Sequence, residues 1–149
     1  MRKYPSGSLT EVVNGRVYAF CLPIPIKRKD ESKISIEHFF TNEELRTLDA
    51  DGRRLYQVEE FYDTGIFIKD NSKICKYLAL NYRKHNGNYI LSGSDTKKVL
   101  SIDGKNNYSL SKNDFCDNVI NDVQGFDKFD FSDFNLIIDL IELAKSKIV

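Results

Sequence analysis

Tryptophan is missing from this chain, proline occurs three times and histidine twice. Cysteine is scarce as well. Cys21, Cys75 and Cys116 lie far apart, form no CxxC pair and leave an odd count, which argues against a disulfide framework and for reduced thiols in the cytoplasm. His38 and His85 are distant from each other and from any cysteine pair, so a zinc site or a Cys-His catalytic pair lacks its ligands. No P-loop, GxGxxG or GxSxG occurs, and nucleotide cradling or serine-hydrolase chemistry is unsupported. Neither sign of charge is in excess: Lys plus Arg is 22 and Asp plus Glu is 22, which gives no global attraction to a polyanion. Long apolar runs are absent too. The stretch from Val17 to Ile26 contains two prolines and falls far short of the roughly 20 residues that span a bilayer, so no membrane association is expected. Met1-Arg2-Lys3-Tyr4 has the character of a signal n-region, but the polar PSGSLTEVVNGR that follows supplies no apolar core, and no secretion signal is expected.

What is present suits a folded protein. A length of 149 residues with 41% hydrophobic and 12% aromatic content fits one domain with a sizeable core, built from ten Phe together with Ile, Leu and Val. The expected fold class is α+β: a single compact domain over residues 16–149, with a small sheet of short strands against helices, preceded by a polar lead-in over residues 1–15. Charge is unevenly spread. The first 100 residues hold 17 basic and 13 acidic side chains, and the remainder 5 and 9, so any nucleic-acid face belongs to the first two thirds.

Along the chain, Arg16 to Leu22 (RVYAFCL) reads as a buried strand ended by Pro23 and Pro25, and Lys27 to Lys33 (KRKDESK) as a solvated loop. From Ser35 the spacing turns helical. Ile36, Phe39 and Phe40 share a face, and Thr41 or Asn42 can cap a second turn through Glu43, Glu44 and Leu45, which predicts a bent pair of short helices. Asp49-Ala50-Asp51-Gly52 predicts a tight turn whose glycine takes a positive φ. In the middle of the chain, Lys73 to Arg83 is the most helical part, with Ile74, Tyr77, Leu78 and Tyr82 roughly on one face. Val99 to Ile102 reads as a strand, Asp103-Gly104 as its turn and Tyr108 to Leu110 as its return. Ser111 is a good cap for a helix from Lys112 to about Asn121 with an apolar stripe of Phe115, Cys116, Val119 and Ile120. Ser132 is expected to cap a C-terminal amphipathic helix whose Phe134, Ile137, Ile138, Ile141 and Ala144 recur at helical spacing, with Lys145 and Lys147 at the end that the macrodipole favours.

Candidate chemistry is sparse. Asp49 and Asp51, two carboxylates one residue apart, can converge on Mg²⁺, with Glu43 or Glu44 nearby. The same residues make a turn, and as a calcium loop they fail, because Arg53 and Arg54 stand where a ligand and a glycine are required. Asp127, Asp130 and Asp133 are spaced by three among phenylalanines; they fit capping of the last helix better than a cation cluster, with Phe126, Phe129, Phe131 and Phe134 turned inward. His38, between helix-forming residues and beside two phenylalanines, reads as a structural residue and His85 as loop. The remaining constellation is basic and aromatic: Arg53, Arg54, Lys73, Lys76, Tyr77, Tyr82, Arg83, Lys84 and Tyr89. Such groups meet phosphates and stack on unpaired bases, and Arg53, Arg54, Lys76, Tyr82, Arg83 and Lys84 are the candidate nucleic-acid contacts.

Three segments carry a family likeness: Ile36 to Phe61 (IEHFFTNEELRTLDADGRRLYQVEEF), Leu110 to Phe115 (LSKNDF) and Phe129 to Phe134 (FDFSDF). With VYAFCLPIP before them, their order and rough spacing resemble the stretch after the catalytic core in Toprim-containing proteins of retron and OLD-like phage-defence systems. The likeness covers roughly Val17 to Ile141. It implies nucleic-acid processing, since such proteins cut or rejoin phosphodiester bonds with metal-bound carboxylates, often beside an ATPase or reverse transcriptase. The strand-Glu-Gly and strand-DxD patterns that bear those carboxylates have no counterpart at matching positions, and no catalytic residue carries over. The implied role is a non-catalytic portion that supports a separately encoded Toprim or nuclease core or contacts DNA or RNA, with Mg²⁺ entering only through that partner. Two alternatives stay open: a small metal-dependent nuclease using Asp49 and Asp51, and a protein-protein interaction module with no nucleic-acid role.

Overall fold

The computed structural model describes residues 7–13, 17–31, 34–62, 65–68, 75–77, 90–91 and 99–148. They form an α+β fold of short antiparallel strand pairs and helices, with a helix near the C-terminus. Two compact units emerge: the first combines Met1–Thr41 with Asp130–Val149, and the second is Asn42–Phe129. Among the described residues no helix is long and apolar enough to cross a membrane.

In the first unit, β1 (Thr10–Val13) pairs antiparallel with β2 (Val17–Ala19), and the register slips between Glu11 and Val13. The strand expected at Arg16 to Leu22 is thus shorter, and its partner lies inside the segment expected to be a polar lead-in. The sequence held the signal: Thr10 to Val13 is followed by Asn14-Gly15, a dipeptide favoured between hairpin strands. Next comes a 3-10 turn, Ile26–Arg28, within the run expected as a solvated loop; its Arg28 is buried. Arg28 donates from Nη2 to the Phe40 carbonyl at 2.9 Å and from Nε to the His38 carbonyl at 3.3 Å, while Nη1 meets Glu31 at 2.9 Å. Where a bent pair of short helices was expected, a 3-10 turn, Ile36–Phe39, closes this part of the first unit and α1 (Asn42–Leu45) begins the second. His38 is buried, as its structural reading anticipated. Its Nδ1 accepts the Ser35 N–H at 2.9 Å, so the ring's other nitrogen carries the proton.

The C-terminal segment returns to this unit. Phe134 lies 5.1 Å from Phe39 and 5.2 Å from Phe40, ring centroid to centroid, and Phe131 meets Phe40 edge-on at 5.5 Å. Such tilted and edge-on contacts add about 0.5–1.5 kcal/mol per pair beyond buried area. Lys27 pairs with Asp133 at 2.8 Å, and the Tyr18 hydroxyl donates to the Lys147 carbonyl at 3.3 Å. After α2 (Lys112–Ile120) of the second unit, the final helix of the chain is α3 (Asn135–Lys147). It follows a 3-10 turn, Ser132–Phe134, where Ser132 is not the cap expected of it and Asp130, one of the acids expected at this helix start, accepts both the Ser132 N–H at 2.8 Å and the Ser132 hydroxyl at 2.9 Å. A carboxylate two residues earlier reaches the open amide, which leaves the serine inside the first turn. On α3 the buried residue is Leu140, with Ile137 and Ala144 partly covered; Ile138 and Ile141, expected on the inward stripe, are 51% and 43% exposed.

In the second unit, β3 (Tyr56–Gln57) pairs with β5 (Ile90–Leu91) and β4 (Cys75–Tyr77) with β6 (Val99–Ser101), both antiparallel. Cys75 to Tyr77 is therefore extended, where helical spacing had suggested a helix; the rest of that expected helix lies outside the described residues. Pairing with Val99–Ser101 outweighs a local periodicity shared by only a few side chains. The return after β6 matches the reading: Tyr108 donates to Val99 at 2.8 Å across a turn in which Gly104 has φ of 72°. Tyr56, Val58, Phe61, Leu91 and Val99 form a core cluster flanked by Phe67 and Tyr108. Ser111 caps α2 by accepting the Asp114 N–H at 3.0 Å. Of its expected stripe, Phe115 and Val119 are buried while Cys116 and Ile120 face outward. Phe115, Phe126 and Phe129 complete an aromatic triangle with centroid separations of 5.4–5.7 Å.

Candidate functional site

The segment from Asn42 to Glu60 carries Asp49, Asp51, Arg53 and Arg54 of the sequence-predicted site. It is built around two carboxylates.

The first is Asp49. As the turn reading anticipated, Gly52 has φ of 73° with open space around it, and its N–H donates to the Asp49 carbonyl at 3.0 Å. Asp49 Oδ1 accepts the backbone N–H of Asp51 at 3.0 Å and of Arg53 at 2.7 Å. Oδ2 accepts Arg53 Nε at 2.9 Å and Nη2 at 2.8 Å. A carboxylate offers about four lone-pair sites, and all are occupied here. Asp49 is thereby only 6% exposed in its side chain, while Asp51, which also meets Arg53 at 3.2 Å, is 74% exposed. The pair does not converge on a common point: one carboxylate is held inside the turn and the other projects to solvent.

The second carboxylate, Glu60, had no place in the sequence reading. It sits at the end of a 3-10 turn, Val58–Glu60, and is 3% exposed. Arg54 grips it with a two-pronged fork, Nη2 to Oε1 at 2.8 Å and Nη1 to Oε2 at 3.1 Å. Arg46 Nε adds 3.2 Å to Oε1, and the Gln57 N–H adds 2.9 Å to Oε2. Gln57 extends the network to Asn42 at 3.1 Å. The Arg54 guanidinium also lies 3.7 Å over the Tyr56 ring and donates to the Leu55 carbonyl at 2.9 Å. Its backbone is fixed in turn, donating to Tyr108 at 3.1 Å and accepting from Leu110 at 2.8 Å. Arg54 is thus an internal brace, and a phosphate reaching it would have to compete with a buried bidentate carboxylate.

The candidate contacts therefore separate. Arg53 is about one-third exposed and shared between Asp49 and Asp51. Arg54 is internal. Lys76 and Tyr77 lie on β4, and Lys73, Tyr82, Arg83, Lys84, His85 and Tyr89 lie outside the described residues. Among Asp127, Asp130 and Asp133, the latter two hold Ser132 and Lys27 rather than a shared ion. Hydrogen bonds from Ser132 keep the exposed Asp130 carboxyl below its ordinary titration range, and the Ser101 hydroxyl and Lys105 N–H do the same for Asp103. Among the described residues no group of three or more His, Cys, Asp or Glu side chains stands together to hold a metal. Glu60 could have been suspected from Arg46 and Arg54, two cations near an acidic pair, but that pattern is equally common on open surfaces. No family model, curated protein or solved structure matches this chain.

Proposed function

We propose that this chain is a non-catalytic α+β domain that works by binding, in the manner of the portion after the catalytic core of Toprim-type defence nucleases, and that it supports a nuclease partner carrying its own metal-bound carboxylates. The observation behind this reading is the state of Asp49. The sequence contains a single DxD pair, and the first of its carboxylates spends its acceptor sites on two backbone amides and one guanidinium. A metal there would have to dismantle the turn. Charge favours a protein partner over a phosphodiester at this surface: with Asp49, Glu60 and Arg54 internal, residues 42 to 60 leave Glu43, Glu44, Asp51 and Glu59 against Arg46 and Arg53. A nucleic-acid contact by this chain rests on Lys76, Tyr82, Arg83 and Lys84.

The test is cleavage of single- and double-stranded DNA and RNA by the purified chain with Mg²⁺ or Mn²⁺. No cleavage is expected, and Asp49→Ala should lower the melting temperature without touching any hydrolysis. Metal-dependent cleavage that disappears in Asp51→Asn would overturn the reading. Oligonucleotide affinity that falls steeply with salt and is lost in Lys76→Ala/Arg83→Ala/Lys84→Ala would shift the partner from protein to nucleic acid.

A further inference from the structure

Asp-Gly occurs twice in this chain, at Asp51-Gly52 and Asp103-Gly104, each time in a tight turn. The dipeptide matters chemically, because the nitrogen after an aspartate can attack the side-chain carboxyl carbon and close a cyclic imide, and glycine puts no Cβ in its way. The two turns are alike in their glycines. Gly52 has φ of 73° and Gly104 of 72°, neither has an atom within 4 Å of where a Cβ would stand, and each N–H donates to the carbonyl three residues back, at 3.0 Å and 2.8 Å. They differ in their carboxylates. Asp103 Oδ1 accepts the Ser101 hydroxyl and, at 3.1 Å, the Lys105 N–H, so its side chain is pinned to its own turn. Asp51 is 74% exposed in its side chain and meets Arg53 at 3.2 Å, an exposed ion pair that restrains it little.

We propose that Asp51-Gly52 is a site of spontaneous aspartate isomerisation, and that isomerisation uncages Asp49. When the exposed turn opens locally, the Gly52 nitrogen attacks Asp51 Cγ, and its proton leaves with the carboxyl hydroxyl as water, closing a succinimide. Water then adds to either ring carbonyl, breaks its bond to nitrogen and restores a carboxyl. Addition at the former main-chain carbonyl leaves the chain running through Cβ and Cγ, longer by one carbon, with the α-carboxyl as the side group. One water is lost and one regained, nothing is oxidised or reduced, and the charge at the position is unchanged. The cage around Asp49 depends on the original spacing: its Oδ1 accepts the Arg53 N–H at 2.7 Å and its carbonyl accepts the Gly52 N–H. An added carbon between Asp51 and Gly52 takes both donors out of register, and a carboxylate 6% exposed in the intact turn opens to solvent. This stands independently of the binding role proposed above.

The experiment ages the purified full chain near neutral pH in water enriched in heavy oxygen and then digests it with trypsin in ordinary water. Trypsin places each Asp-Gly in its own peptide, residues 47–53 and residues 99–105. The first should take up a heavy oxygen atom and divide into two chromatographic forms about tenfold faster than the second, in which two hydrogen bonds must break before the carboxyl can turn. Asp51→Glu keeps the charge but lengthens the arm, and should leave the 47–53 peptide unlabelled. A sample aged until that peptide is mostly isomerised should melt below the fresh chain, as Asp49→Ala does. The proposal is overturned by a 47–53 peptide that stays unlabelled, by equal or faster labelling of 99–105, or by label that persists in Asp51→Glu. An isomerised chain that melts with the fresh one would overturn it as well, since Asp49 would then still be caged.

Discussion

Each unit buries a charged side chain that has several partners, Arg28 in the first and Glu60 in the second, and the two are satisfied in different ways. In the first, Arg28 spends two of its donors on the carbonyls of His38 and Phe40 and one on Glu31. In the second, Glu60 collects two guanidinium groups and one backbone amide. An arginine that reads main-chain oxygens fixes where the chain runs, whatever side chains surround it. A glutamate held by other side chains depends on the identity of each of them, and every partner becomes a point of failure. The first device is robust to mutation of its surroundings, and the second concentrates risk.

The comparison can be broken most forcefully at Glu60. Replacing it with Ala strands Arg54 under cover, and breaking a buried pair in this way costs about 3–5 kcal/mol. Urea unfolding should show that loss, and Arg54→Met/Glu60→Leu should recover much of it, because the apolar pair leaves no stranded charge. A double variant as unstable as Glu60→Ala would mean that the network has no separable pair term. Next in size is Arg28→Met, which keeps most of the stem but leaves two buried carbonyls without this donor, at roughly 1–3 kcal/mol each. Amide exchange should accelerate in β1, β2 and α3 while Tyr56, Leu91 and Val99 keep their protection; uniform acceleration would show that the units open together. The smallest effect is at Asp130. Its folded-state pKa is lowered by Ser132, so its contribution is fully present above the unfolded value of 3.8 and is lost as pH falls through the folded pKa. The stability gap between wild type and Asp130→Ala should therefore be constant near neutral pH and close only on the acid side of 3.8.

The features legible in the sequence are those where one residue fixes its own backbone. Gly52 demanded a positive φ, Asp103-Gly104 marked its own turn, and Ser111 offered a hydroxyl to an open helix end. What escaped depends on partners distant in sequence. Glu60 looks like any surface acid until Arg46 and Arg54 fold over it, and Cys75–Tyr77 becomes a strand only because Val99–Ser101 lies beside it. The facing of α3 was ambiguous for another reason. Apolar residues cover more than half of its circumference, so helical spacing cannot choose between Leu140 and Ile138 as the inward residue.

The first unit is drawn from both sides of the second in sequence, and that fixes an order of events during synthesis. Chains emerge at about 5–20 residues per second and contiguous units close as they appear. Asn42–Phe129 is contiguous and has everything it needs once Phe129 is out. Phe39 and Phe40, made earlier, must wait through that whole interval for Phe131 and Phe134. The part translated first is finished last, and the phenylalanines it holds open meanwhile are the surface on which a nascent-chain chaperone would act.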